Sequence, residues 1–568
     1  MEKRWVYQDS AEDEAVQKLA KEINVNPALA NLLIQRGVDN FDEAKTFFRP
    51  NLKMLHDPFL MKDMEHAVNR LILAMERNEK ILIYGDYDVD GTTSVALAYG
   101  FLQTIYEPIE YYIPDRYKEG YGISEEGIQY AAENDFSLII SLDCGIRAVG
   151  LINEARKKNI DFIICDHHRP GDQLPPAHAI LNPKQVGCSY PFKELCGCGV
   201  GFKLLHGLCI RLKNHQKKLA EWLDLVAVAI AADIVPINGE NRILSYFGLQ
   251  RLNEAARPGL KALAQLAGLR NDINIENIVF GFAPRINAAG RMEHAKAAVQ
   301  LLLAETDEQA LKMANELNVQ NTERRGYDTH MTQEALEMIE QEEKLLQAKT
   351  TVLFKNDWHK GVVGIVASRC IEKYYRPTVI LTESHGKASG SARSVDGYDV
   401  YAAIEACSDL LEQFGGHKYA AGLTMPVENV PLFQQKFEET VAQSISDDQL
   451  IPLVNIDTKI NLSDITPKFY NVVKQFAPFG PGNMRPIFMS DYLMVYGYPQ
   501  ILKEQHLKFS VRQEGSQKVY NAIGFGMAHY YEIVLEGKPF QMAYNVEENH
   551  YNGNTSLQLM IRDIKPME

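Results

Sequence analysis

Three short apolar runs punctuate the first half of the chain. They are KILIYGDYDVDG at 80–91, FSLIISLDCG at 136–145 and IDFIICDHHRP at 160–170. Each is short, rich in β-branched residues and bounded by glycine or charge, the pattern of a strand buried on both faces of a parallel sheet. A fourth run, LVAVAIAADIVP at 225–236, closes on Asp233 in the same way. From about 80 to 240 such runs alternate with helical stretches, which predicts an α/β unit with a parallel sheet. Residues 1–55 show helical periodicity, as in DEAVQKLAKEI and NPALANLLIQRG, with Asn26-Pro27 as a helix start. From 56 the chain enters the α/β unit, which extends to about 300. Residues 301–347 are rich in Glu, Lys, Gln, Leu and Met, lack proline and predict long connecting helices. A second, smaller α/β unit follows over 348–445. The segment SISDDQLIPLV reads as a linker, and 450–568 holds short strands broken by Gly and Asn, predicting a small β-barrel of the oligonucleotide-binding type.

The chemistry sits where the runs end. In an open parallel sheet the carboxyl ends of the strands line one crevice. Asp86, Asp88, Asp90, Asp143, Asp166, His167, His168 and Asp233 would therefore converge, far apart though they are in sequence. Any one of these aspartates also suits a turn or a helix N-cap. Asp-His-His directly after an apolar strand is less ordinary, and the four clusters together fit a metal site. Carboxylates packed this closely repel one another unless cations neutralise them. Oxygen ligation with one or two imidazoles suits Mn²⁺ or Mg²⁺ better than a structural zinc. The expectation is a site for two ions that hydrolyses a phosphate ester.

A phosphodiester also needs cationic donors. Arg285 and Arg291 flank a glycine-containing stretch, PRINAAGR, read as a loop in which Gly290 lets backbone approach the substrate. Arg393 and Ser391 lie in GSARS, whose small residues would leave backbone N–H groups open to phosphate. Arg116 and His417 are further candidates, and an arginine fork suits a terminal phosphate. Tyr117, Tyr121, Phe479 and Tyr520 are candidate stacking platforms for bases, though such residues are more often core.

Composition narrows the setting. At 568 residues the chain exceeds one hydrophobic core, and 46% apolar residues is ordinary for a globular protein. No apolar run approaches the roughly 20 residues needed to span a bilayer. The charged start resembles no signal peptide, and eight cysteines are too few for a disulfide scaffold, so the cytoplasm is expected. Cys188, Cys196 and Cys198 cluster without an obvious fourth zinc ligand and read as ordinary thiols. The net charge of −15 argues against indiscriminate adhesion to nucleic acid, yet leaves room for a local basic channel.

Asp166-His167-His168 is the signature of the DHH phosphoesterase superfamily. YGDYDVDG, SLDCG and AADIVP resemble its first, second and fourth motifs, and FGGHKYAAGL (414–423) resembles the Gly-Gly-His motif of the DHH-associated domain. APRINAAGR (283–291), GSARS (390–394) and PFGPGN (478–483) narrow the resemblance to the RecJ family of single-stranded-DNA-specific exonucleases, over about 60 to 560. The resemblance implies a DHH domain at 56–300, connecting helices, a DHH-associated domain and an OB-like domain. It implies 5′-to-3′ degradation of single-stranded DNA to 5′-mononucleotides with two Mn²⁺ or Mg²⁺ ions, in DNA repair and recombination. It adds a single-stranded-DNA-binding protein and a RecQ-type helicase as partners, and no membrane. Carried over by motif, the metal ligands are Asp88, Asp90, Asp143, His167 and Asp233, with Asp86 in the first motif. Asp143 would bridge the ions, and Asp88 and Asp90 would serve different ones. Asp166 would orient the adjacent ring, and His168 would contact the scissile phosphate or only hydrogen-bond a neighbour. Many relatives carry a histidine where this chain has Tyr84, so one imidazole is expected to be missing. The alternatives are an oligoribonuclease, cyclic-dinucleotide phosphodiesterase or pyrophosphatase of the same superfamily, a non-catalytic DNA-binding scaffold, or an enzyme that also takes RNA. The extra barrel disfavours the first and the retained ligands the second, while no motif reads the 2′-hydroxyl.

Overall fold

The computed structural model describes residues 2–269, 272–292, 294–551 and 553–567. The chain divides into two units. One comprises Lys45–Arg324 with Phe476–Met484, the other Met1–Ala44, Arg325–Gln475 and Arg485–Glu568.

The first unit is built on five parallel strands, in the order Ile109–Tyr112, Lys80–Gly85, Phe136–Leu142, Asp161–Cys165, Ala179–Leu181. Alternation divides their side chains between two cores. Ile83, Ile140, Leu142 and Ile163 face one side with helices Val89–Leu102, Gly197–Leu212 and Leu223–Ala232. Leu82, Tyr84, Ile139, Phe162 and Ile164 face the other with helices Glu125–Glu133 and Val149–Lys157. Each such fully buried aliphatic side chain is worth at most about 1.5–3 kcal/mol. The register places Gly85, Leu142 and Cys165 side by side across three strands. Asp86, Asp143 and Asp166, one residue on, therefore leave the sheet at the same level. The fourth apolar run differs from the other three: Leu223–Ala232 is a helix, buried from Leu223 to Ala231 and apolar but for Asp224, and Asp233 is its C-cap.

In the second unit a five-stranded mixed sheet runs Gln413–His417, Ala420–Pro426, Lys387–Arg393, Thr378–Ser384, Thr351–Phe354. The C-terminal strands Phe488–Leu502, His506–Gln513, Val519–Gly524, Asn554–Pro566 and Phe540–Tyr551 pair in that order, and the last pairs back onto the first, closing a ring. Residues 1–55, expected to be helical, contain helices Asp13–Ile23, Pro27–Ile34 and Phe41–Phe48 but also a strand, Arg4–Tyr7, paired in parallel with Leu453–Ile456. The connecting region is the 35-residue helix Asp307–Gln341 followed by Glu343–Gln347. Among the described residues no helix is long and apolar enough to cross a membrane.

Candidate metal centre

Each strand end is shaped by local hydrogen bonds. Asp88 caps the helix Val89–Leu102, its Oδ1 accepting from Gly91 N at 2.9 Å. Asp90, in the first turn of that helix, accepts from Gly197 N at 2.6 Å and Cys198 N at 2.8 Å, the first amides of the helix Gly197–Leu212. These two amides at a helix N-terminus favour the charged carboxylate, but burial and the Asp88 charge outweigh them. Only glycine fits at 197, because a Cβ there would lie 2.5 Å from Asp143 Cβ. Asp143 turns out of its strand with φ 59°, a left-handed conformation that aspartate tolerates better than most residues. Asp166 is saturated: Oδ1 accepts from His167 N at 2.7 Å and His168 N at 3.0 Å and lies 2.8 Å from His168 Nδ1, while Oδ2 accepts from Ile146 N at 3.0 Å.

These elements bring five predicted residues together. His167 Nε2 lies 3.1 Å from Asp143 Oδ1, 3.5 Å from Asp233 Oδ2 and 3.9 Å from Asp90 Oδ2. Asp143, His167 and His168 form one group whose ligand atoms all lie within 4.8 Å of one another, and Asp90, His167 and Asp233 form another. Asp143 Oδ1 and Asp233 Oδ2 are buried and accept no hydrogen bond from the described residues, and neither oxygen of Asp86 receives one of good geometry from them. Burial, then mutual repulsion with Asp88 and with each other, pushes the carboxyls of Asp90, Asp143 and Asp233 upward. Asp86 is raised by burial and by Asp88. Unsatisfied carboxylate oxygens facing an imidazole across these gaps fit a divalent cation. Asp166 differs: burial alone would raise it, but its hydrogen bonds and charge pairing with His168 hold it at about 2. Burial alone would lower His168, and Asp166 reverses this, lifting the ring to about 9. Asp166 therefore orients His168, not the ring of His167. His168 Nε2 in turn lies 3.4 Å from the Tyr121 hydroxyl.

The remaining sequence candidates fall in different places. Asp86 is fully buried. Tyr84 sends its hydroxyl into the opposite core, donating to Gly122 O at 3.0 Å. PRINAAGR is not a loop but most of the helix Ala283–Met292. Arg285 sits at its inner end, donating to Gly281 O, Leu266 O and Asn318 Oδ1 at 2.6–3.1 Å, which commits its fork to holding the fold. Arg291 is at the other end, where its carbonyl accepts from Tyr117, and Gly290 packs against the Tyr87 backbone. Arg116 stacks over Tyr87, 5.0 Å from the ring centre. Both Arg116 and Arg291 act electrostatically on Tyr87, the residue between Asp86 and Asp88.

Ser391 and Arg393 lie on Lys387–Arg393, which is paired on both sides, so its backbone N–H groups serve the sheet and are not open to phosphate. The side chains carry the opportunity instead. Arg393 Nη1 donates to Ser391 Oγ at 2.6 Å, and a methyl group on Gly364, in the first turn of the helix Val363–Lys373, would meet Arg393 Nη2 at 2.8 Å. Burial lowers the Arg393 pKa, and among the described residues no carboxylate pairs with it. His417 ends the edge strand Gln413–His417 and is exposed. The Tyr520 hydroxyl donates to Ile465 O, so that ring is tied to the fold. Cys196 and Cys198 are buried thiols pushed up by burial and by Asp90, as expected of ordinary cysteines.

Sequence reasoning missed the Gly197 and Cys198 amides. The small residues of GCGVG before an apolar helical run were the available signal for a close helix start.

Comparison with known proteins agrees with this geometry. Residues 80–230 match the DHH family N-terminal domain, 346–443 the DHHA1 domain and 456–563 the RecJ OB domain. The chain is 39% identical to the single-stranded-DNA-specific exonuclease RecJ of Bacillus subtilis over 99% of its own length and 70% of that protein. It is 32% identical to RecJ of Escherichia coli over 95% of its length and 96% of that protein. A crystal structure of RecJ from Thermus thermophilus in complex with Mn²⁺ superposes with a TM-score of 0.86 at 27% identity, covering 100% of this chain and 80% of that one. These matches run through all the motifs described above, and the chain belongs to the RecJ family of single-stranded-DNA-specific exonucleases.

Proposed function

We propose that this chain hydrolyses single-stranded DNA from the 5′ end, releasing 5′-mononucleotides, with Mn²⁺ or Mg²⁺ as cofactor. The observation that carries the reading is the convergence of Asp90, Asp143, His167 and Asp233, with buried carboxylate oxygens that no donor satisfies. The Mn²⁺ and Mg²⁺ complexes of the Thermus relative support the choice of cation. Asp90, Asp143, His167 and Asp233 are the proposed ligands, joined by Asp88 through the oxygen that does not cap its helix. Asp86 supports them. Divalent ions held there supply a nucleophilic water at neutral pH and neutralise charge on the phosphate.

The chain's own groups do the rest. Asp166 keeps His168 protonated, so the imidazolium can donate to a phosphate oxygen of the scissile bond. Arg116 and Arg291, which both act on Tyr87, are proposed to hold the backbone of the DNA strand. Ser391 and Arg393 are the proposed seat of the 5′-terminal phosphate, since a buried guanidinium without an acid partner favours an anion. His417 is retained as a further substrate contact. On the ring, Tyr496 and Tyr498 are exposed, and Arg512 lies 5.8 Å from the Tyr496 ring centre. Aromatic and cationic groups together track a single strand without reading its sequence.

The functional division proposed is a catalytic domain over 56–300, connecting helices over 301–347, a phosphate-holding domain over 348–445 and a strand-binding domain over 450–568, with 476–484 serving the catalytic unit. A helicase of RecQ type that makes single strands, and a single-stranded-DNA-binding protein that presents them, are the proposed partners in repair and recombination in the cytoplasm. The deciding experiment is digestion of single-stranded DNA labelled at either end, with Mn²⁺, read by product size. Mononucleotides from the 5′ end are expected, and duplex of the same sequence should persist. Cleavage confined to dinucleotides would instead favour the oligoribonuclease or cyclic-dinucleotide reading.

A further inference from the structure

The helix Gly239–Ala255 opens with three consecutive buried polar side chains, Glu240, Asn241 and Arg242. Polar groups are costly to bury unless satisfied, so their partners show what they hold. Glu240 accepts from His56 N at 2.9 Å, Lys203 Nζ at 2.7 Å and the Tyr190 hydroxyl at 2.5 Å. Asn241 Nδ2 donates to Glu194 O at 2.5 Å and Pro236 O at 3.0 Å. Arg242 donates to Phe476 O at 2.7 Å, Ala477 O at 3.0 Å and Phe47 O at 3.1 Å, with its guanidinium 3.8 Å from the Phe47 ring centre. Asn483 Nδ2 closes the 476–484 loop on itself through Phe476 O at 2.8 Å and Pro478 O at 2.9 Å.

This loop reaches the backbone that follows Asp233. Pro481 O accepts from Ile237 N at 2.6 Å, and a methyl group on Gly480 would lie 2.5 Å from Ile237 Cγ1. Between Asp233 and this clamp stands Ile234, with φ 58° and a side chain 63% exposed. A β-branched residue in the left-handed region is strained, and such strain persists only where the surroundings over-determine the backbone. The side chain of Ile234, largely in solvent, does not supply that restraint. The bonds at Pro236 and Ile237 do.

We infer that the 476–484 loop, gripped by Arg242, is a positioning device that sets the Asp233 carboxylate in the metal centre through the strained turn at Ile234. It rests on the proposed role of Asp233 as a ligand. Outer groups that orient a ligand typically change metal affinity by about 10–100-fold when altered.

The test is titration of the full-length chain with Mn²⁺ alone, followed by electron paramagnetic resonance, for wild type, Asp233→Asn, Gly480→Ala, Ile234→Gly and Arg242→Lys. Gly480→Ala and Ile234→Gly should each weaken Mn²⁺ binding about tenfold. Ile234→Gly should do so without lowering the melting temperature of the metal-free protein, because glycine relieves the strain. Turnover lost at low Mn²⁺ should return at high Mn²⁺, with KM for a short oligonucleotide unchanged. Arg242→Lys, which keeps the charge and loses the fork, should follow Gly480→Ala; if it fails to fold, the other two variants decide. Mn²⁺ affinities within twofold of wild type for Gly480→Ala and Ile234→Gly, with Asp233→Asn impaired, would overturn the positioning role alone. An unimpaired Asp233→Asn would overturn the ligand role and the positioning role with it.

Discussion

Asp143 Oδ1 lies 3.1 Å from His167 Nε2, although the two residues follow different strands and Asp143 departs in the left-handed region. The contact joins a carboxylate raised by burial and by its acidic neighbours to an imidazole whose own neighbours are carboxylates. Replacing Asp143 by Asn should therefore separate stability from function. Activity on single-stranded DNA should fall by more than about a hundredfold, by loss of a proposed ligand. Metal-free Asp143→Asn should melt no lower than wild type, because a repelling charge is gone and Asn tolerates φ 59°. Asp143→Ala is the poorer test, since alanine adds roughly 1–2 kcal/mol of left-handed strain. Calorimetry beside a nuclease assay checks both halves.

The pH dependence of the metal-free protein follows from the same cluster. Asp90 is pushed up to about 7 and Asp233 to about 8, from an ordinary value of 3.8. Folded protein then binds more protons than unfolded protein between these limits. Stability from this cluster is complete below the ordinary carboxylate range and is lost as pH rises through about 7–8. With chelator, the melting temperature should fall from about pH 4 to about pH 8 and then level off. Saturating Mn²⁺ should abolish that fall, and Mn²⁺ affinity should rise over the same interval as binding displaces protons. A chelated protein whose stability is flat with pH, while Asp143→Asn is equally flat, would refute the clustering of charge.

Arg393 and Ser391 provide a test of polarity. Arg393→Ala should slow removal of the first nucleotide from 5′-phosphorylated strands by about tenfold or more, and from 5′-hydroxyl strands much less, because a charge-assisted fork matters only when its anion is present. The ratio of the two rates in single-turnover digestion is the measurement. Equal loss on both substrates would place Arg393 on an internal phosphate.

Removing everything after about residue 450 is not a clean way to test the ring. That cut also removes Phe476–Met484, which belong to the catalytic unit, and the strand that pairs with Arg4–Tyr7. The truncated chain should be destabilised and inactive even on short oligonucleotides. Point changes on the ring avoid this. Tyr498→Ala with Arg512→Ala should weaken binding of long single strands by about tenfold or more, since one stacked base is worth about 1–3 kcal/mol. Cleavage of the shortest oligonucleotides should persist. Fluorescence anisotropy on strands of graded length checks it.

Much of the site is legible in the sequence. Strands ending at Asp86, Asp143 and Asp166 follow from short β-branched runs, and the parallel register that levels them follows from their alternation with helices. The helix at Leu223–Ala232 was ambiguous, because a run apolar on every side carries no period to separate helix from strand. PRINAAGR reads as a loop for the opposite reason: its proline and glycine signal a break, yet Pro284 directly follows the π-helical turn Ile278–Phe282, which runs on into this helix, and Gly290 lies near the helix end.

The metal chemistry, the parallel sheet and the order of the domains are written along the chain, because hydrophobic period, turn residues and motif spacing are local properties. Which atoms meet is set by packing. Asp166 orients His168 rather than His167, the Gly197 and Cys198 amides hold Asp90, and Arg285 is tied to carbonyls of its own domain. Residues 476–484 return to the catalytic unit from more than two hundred positions beyond Arg242. Such pairings depend on how distant segments pack and on which polar groups that packing leaves to be satisfied, and no local pattern encodes either.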